Sequence, residues 1–191
     1  MSMYQARSVA FALFVLLAGC SGGNPLDTSS NAEKSKALVS NSTAALDQLY
    51  RDAPGAQDIG KNAKGILVFP SIVKAGLGIG GETGNGTLFI NDEASGYFNK
   101  SGASFGFQAG AQKRSEVIMF MTDAAMQKLK NRAGLEFGVD ASAAVLDAGA
   151  GGTLDTSNID AEIVAFIFGQ AGLMANASLE GSKVTEINLD P

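Results

Sequence analysis

Few residues in this chain could support chemistry. Of its 191 residues one is cysteine, Cys20, and none is histidine or tryptophan. Without an imidazole there is no Ser-His-Asp triad, no Cys-His pair and no histidine metal ligand. With one thiol there is no internal disulfide, no CxxC redox pair and no thiolate zinc site. Cys20 closes the sequence Leu17-Ala18-Gly19-Cys20, which follows Arg7 and an apolar run from Val9 to Ala18. That run is about half of the roughly 20 residues that span a bilayer as a helix, so its shape is that of a secretory signal. Leu-Ala-Gly-Cys has the spacing of a lipobox. The small residues admit a peptidase to the bond before Cys20, and the thiol takes a diacylglyceryl group. The alternatives are an ordinary signal peptide or a buried first helix with a chance cysteine.

Residues 1–19 are therefore expected to be a lipoprotein signal peptide, with Cys20 the lipidation site. Two or more acyl chains anchor a protein stably where one does not. Ser21, rather than Asp, follows the cysteine. That resembles the outer-membrane sorting pattern, which implies an anchored chain facing the periplasm. The mature chain then has no free thiol. Carboxylates and hydroxyls remain, for instance Asp140, Ser142 and Glu180, but nothing in their spacing brings two together for acid–base work. No enzyme activity and no cofactor are expected. Gly76-Leu77-Gly78-Ile79-Gly80-Gly81 matches GxGxxG in letters. A dinucleotide site needs a strand before the glycines and a helix opening on them. Here alternation runs straight through.

Charge is uneven. The net is −5, yet residues 61–134 hold nine Lys/Arg against five Asp/Glu, and residues 135–191 hold one Lys against nine acids. A basic middle on an acidic chain suits anionic headgroups better than nucleic acid, which is not an expected partner. Lys61, Lys64, Lys74, Lys113 and Arg114 are the candidate lipid-binding residues. Ordinary solvated charge at strand ends is the plain alternative.

The elements that must position these residues can be read from periodicity. Residues 20–32 are rich in Ser, Gly and Asn and read as a flexible tether. From Glu33 to Asp52, Leu38, Val39, Ala45, Leu46, Leu49 and Tyr50 form one helical stripe, which Pro54-Gly55 should end. The stripe can dock on a core or lie on a bilayer. Its polar face is poor in cations, which favours docking. Beyond residue 64 the period becomes two. Strands are expected at 66–69, stopped by Pro70, at 72–83, at 87–90, at 96–99, at 104–112 and at 117–121. Asn85-Gly86 has the signature of a type I′ hairpin turn, and Asn91-Asp92-Glu93 should turn again. Thr122-Asp123 should cap a short helix over 124–132, ended by Gly134. Further strands are expected at 160–168, 173–179 and 182–187, after a loop at 148–158. Glycine is abundant, at 24 residues, half of them between Gly60 and Gly110. They read as places where a curved sheet lets backbones or aromatic rings come close.

Several stretches in order resemble the SYLF domain family of lipid-binding proteins. They are AKGILVFP at 63–70, VKAGLGIGG at 73–81, GNG at 84–86, GASFGFQAGAQ at 102–112, VIMFMTD at 117–123, FGVDAS at 137–142 and QAGLMANASLEGS at 170–182. The chain departs from the family at Gly96-Tyr97-Phe98, at Gly149-Ala150-Gly151-Gly152 and at Phe166, and its first helix is nearly neutral. The last departure speaks against phosphoinositide selectivity. Residues 33–191 are read as one SYLF-like α+β domain. An N-terminal helix and a short internal helix pack on a curved, mostly antiparallel sheet of barrel-like form. The resemblance implies a non-catalytic role at a phospholipid membrane, through the acyl anchor and anionic headgroups. The alternative is a structural envelope protein that recognises another protein or peptidoglycan.

Overall fold

Ser30 opens the first helix, α1 (Asn31–Asp52), with a capping box. Its hydroxyl accepts the Glu33 amide at 3.3 Å and its own amide donates to Glu33 Oε2 at 2.9 Å. The computed structural model describes residues 30–131, 133–147, 161–171, 179 and 181–189. The expected signal peptide, Cys20, most of the tether and the loop at 148–158 lie outside the described residues, as does 173–178 of an expected strand. The first helix ends at Asp52, just before Pro54-Gly55, as expected, and Pro54 has a second role. It starts a second helix, α2 (Pro54–Gly60), at a position where its missing amide proton is not needed. The stripe of α1 is docked, with Ser35, Ser42, Ala45 and Leu49 buried. Ser42 Oγ lies 3.3 Å from the Val68 carbonyl and 3.2 Å from Thr87 Oγ1, tying the helix to two points of one strand.

That strand is β1 (Gly65–Ile90), and it pairs antiparallel with β2 (Glu93–Phe120) from Gly65 opposite Phe120 to Ile90 opposite Glu93. One turn joins them, at Asn91 and Asp92, whose φ angles of 51° and 64° are those of a type I′ turn. The hairpin expected at Asn85-Gly86 does not form. Asn85 sits within β1 opposite Asn99, whose amide donates to Asn85 Oδ1 at 2.8 Å. Its neighbouring glycines serve another end, because the ribbon folds back over itself. A Cβ on Gly84 would meet the Ser71 carbonyl at 2.6 Å, and one on Gly86 would meet the Val68 carbonyl at 2.6 Å and Phe69 Cδ1 at 2.7 Å. Pro70 does not stop the strand either. It lies in an irregularity between Phe69 and Ile72, where a missing donor is tolerated. The run Gly76–Gly81 is interior to β1, and no helix follows it.

The chain then forms α3 (Asp123–Leu129), capped by Thr122, and Gly134 takes φ +83° beyond it. The remaining strands are β3 (Leu135–Glu136), β4 (Ala144–Asp147), β5 (Ile163–Ala171) and β6 (Ser182–Ile187). Among the described residues the sheet has six strands, ordered β3-β6-β2-β5-β4 with β1 on the other side of β2. Because β2 is so long it holds two neighbours on one edge, β6 along 97–102 and β5 along 113–120. Only β4 with β5 is parallel among these pairs. The curled sheet forms a half-barrel, and the fold is α+β with its N-terminal helix on the curved sheet.

Alternation along β2 divides two cores. Ile118 and Phe120 point inward to Phe69, Met126 and Leu129, under α3. Val117 and Met119 point outward to Leu49, Ala56, Phe166 and Phe168, under α1 and α2. Burial on both faces explains why 117–121 reads as an unbroken apolar run.

Candidate functional site

The hairpin turn ends beside α1. Together α1, α2, the start of β1 and the turn enclose a groove of about 470 Å³. Leu46, Ile66 and Phe89 give it apolar walls, and Asp47, Asp92 and Lys61 give it charge. Tyr50 comes from the last turns of α1 and lies across Gly60 of α2, where a Cβ would collide with its hydroxyl. Gly60 is thus what lets the phenol reach this position. Its pKa is raised above 10.0, first by burial and then by the carboxylates of Asp92 and Asp47. Both acids therefore bear on one phenol, Asp47 from α1 and Asp92 from the turn.

The five cations expected to share a surface do not. Lys61 and Lys64 are exposed at the end of the sheet where β1 begins, and Lys61 pairs with Asp58 at 2.8 Å. Lys74 and Lys113 lie near the bend of the ribbon. Ten residues of strand separate Lys64 from Lys74, roughly 30 Å of extended chain. Lys113 is opposite Val73, so alternation puts it and Lys74 on opposite faces of the ribbon.

Arg114 is buried, with 3% of its surface exposed. It belongs to a quartet inside the curl. Its Nη2 lies 3.0 Å from Glu82 Oε2 and 3.6 Å from Glu116 Oε2. Lys100 Nζ lies 2.7 and 2.8 Å from the two oxygens of Glu116 and 3.6 Å from Glu82 Oε1. Glu82 and Lys100 come from the half of the ribbon that folds back, Arg114 and Glu116 from the half it covers. The four charges cancel and clasp the fold. Arg114 Nε has no partner among the described residues.

Reading the sequence for function missed Tyr50, Asp47 and Asp92 as a group. Tyr50 was visible as part of the helix stripe and Asp92 as part of a turn, but no pattern joins the two. Glu82, Lys100 and Glu116 were missed because only the folding-back of the ribbon brings them together. Among the described residues, no group of three or more His, Cys, Asp or Glu could hold a metal ion. No described helix is long and apolar enough to cross a membrane.

No curated protein matches the chain significantly. A family model described as "Ysc84: Las17-binding protein actin regulator" matches residues 101–188. The matched stretch runs from the middle of β2 through β6 and so takes in the strand that carries Arg114 and Glu116. Residues 101–188 thus match the model of the Ysc84, or SYLF, domain family, the family that the ordered sequence motifs resemble.

Proposed function

We propose that this chain is an envelope lipoprotein, held at the outer membrane by Cys20 and facing the periplasm, whose SYLF domain binds lipid without catalysing a reaction. The acyl chains supply the anchoring energy. The domain, joined to the anchor through residues 21–29, supplies selectivity. The observation that carries this reading is the groove between α1, α2 and the hairpin turn. Its volume falls within the roughly 300–1,000 Å³ typical of ligand sites. It joins the apolar side chains of Leu46, Ile66 and Phe89 to charged groups, which is the mixture a lipid presents where headgroup meets acyl chain. Lys61 lines it and Lys64 is one residue from two lining positions. The family description names Las17 binding and actin regulation, and neither is carried to this chain.

Co-sedimentation with phospholipid vesicles tests the reading. The chain from Ser21 onward lacks the anchor and keeps every described element. It should pellet with vesicles, and Leu46→Asp or Phe89→Asp in the groove should reduce the pelleted fraction. Binding that vanishes with Cys20 would instead mark the domain as structural or partner-binding.

A further inference from the structure

Building on lipid binding at this groove, we infer that it selects a phospholipid headgroup that ends in a primary ammonium, of the phosphoethanolamine kind, over an anionic headgroup. Charge complementarity carries the inference. The groove's charged lining residues are two carboxylates, Asp47 and Asp92, and one cation, Lys61. That balance repels a headgroup with net negative charge and suits a zwitterion. The carboxylates are exposed, and no ion pair to a cation holds them among the described residues. Carboxylates accept hydrogen bonds from an N–H and gain little from a choline nitrogen, which has none. Lys61 faces the same space and can take the phosphate. Its present contact to Asp58 is between two side chains that are 65% and 74% exposed, a class of pair that is readily exchanged.

Tyr50 adds a second recognition element. Among the described residues its hydroxyl makes no hydrogen bond, and the ring is only half-buried. The phenol face and oxygen both favour a cation beside them. The apolar walls, Ile66 and Phe89, lie beyond the charged rim and suit the glycerol ester and first methylenes. The four recognition groups come from two elements and a turn, so the site exists only in the folded domain.

The test uses the full chain reconstituted in phosphatidylcholine nanodiscs with carbon-13-labelled tyrosine rings. The chain processed at Cys20 retains Tyr50 and Tyr97, and Tyr50→Phe assigns the Tyr50 signal. Adding phosphatidylethanolamine to the discs should shift that signal saturably, and phosphatidylglycerol should not. The double variant Asp47→Asn with Asp92→Asn should weaken the response by about tenfold, the loss of one charge-assisted contact. Both positions are exposed, and asparagine accepts the left-handed backbone at 92, so the fold should survive. An equal shift with phosphatidylglycerol overturns the inference, as does an unchanged response in the double variant. A matching response to free O-phosphoethanolamine, with no gain from the acyl-bearing lipid, overturns the lipid source. If no lipid moves any domain signal, lipid binding by the domain fails instead.

Discussion

Two groups of charge sit at opposite extremes of the same domain. Inside the curl, Glu82, Lys100, Arg114 and Glu116 have lost water, and each faces an opposite charge. At the groove, Asp47, Asp92 and Lys61 keep water, and one sign is in excess. The sequence presents both as scattered Lys, Arg, Asp and Glu. Burial and pairing separate them. A buried and balanced set holds structure, because removing one member strands its partner in a medium that cannot solvate it. An exposed and unbalanced set has unused attraction to offer a ligand. Arg114 shows how far the two can be confused, since a cation in a basic segment proves to be a clasp.

The contrast can be broken most forcefully at Glu116. Glu116→Gln leaves buried Lys100 with only the longer contact to Glu82, and should lower unfolding free energy by about 3–5 kcal/mol in urea titrations. Replacing Lys100 and Glu116 together by Met and Leu should recover most of that loss; a persistent deficit would mean that the quartet does more than clasp the ribbon. Next in size is Gly86→Ala, whose Cβ would press on Val68 and Phe69. It should cost about 1–3 kcal/mol by the same measurement, with lipid binding intact in the fraction that folds. Gly60→Ala should act the other way round. It displaces Tyr50 and so weakens the groove's lipid response several-fold, while thermal unfolding shifts little.

The smallest effect is a titration. Burial, Asp92 and Asp47 hold the Tyr50 phenol above 10.0 in the folded chain. The folded chain thus keeps a proton that the unfolded chain has released. The stability tied to Tyr50 is complete below the unfolded value and is lost as pH rises through the folded one. Asp92→Asn should bring the phenolate absorbance midpoint of Tyr50 down toward the ordinary value. An unmoved midpoint would separate Asp92 from the site.

Much of the fold could be read because local chemistry decided it. The Ser30–Glu33 cap lies at the edge of the expected helix, Thr122 caps α3 as expected, and Val117–Phe120 forms a strand buried on both faces. The errors cluster where distant parts of the chain decide. Asn85-Gly86 has every local mark of a turn, yet the glycines at 84 and 86 are needed so that one half of the ribbon can lie on Ser71 and Val68. Pro70 marks an interruption locally, yet an irregularity in the ribbon absorbs it, whereas Pro54 does close α1 and goes on to open α2. The two-residue β3 and the parallel β4 carry no periodicity long enough to see. The groove was the least legible part. Tyr50, Gly60 and Asp92 meet only after α1, α2 and the hairpin turn have docked.

The length of the β1–β2 ribbon governs how the domain must assemble. Pairing can begin at the Asn91-Asp92 turn and zip outward, but Gly65 meets Phe120 last, and β5 and β6 need β2 in place before they add. Contacts this far apart in sequence make for slow folding. They also fix where the chain can be cut. The family match at 101–188 begins inside β2, at Ser101, whose partners across the ribbon lie in β1. A fragment started there would expose the edge of a strand whose partner stayed behind, and such edges recruit other chains. The smallest piece able to fold alone therefore reaches back to the Ser30 cap, well upstream of the segment by which the family is recognised.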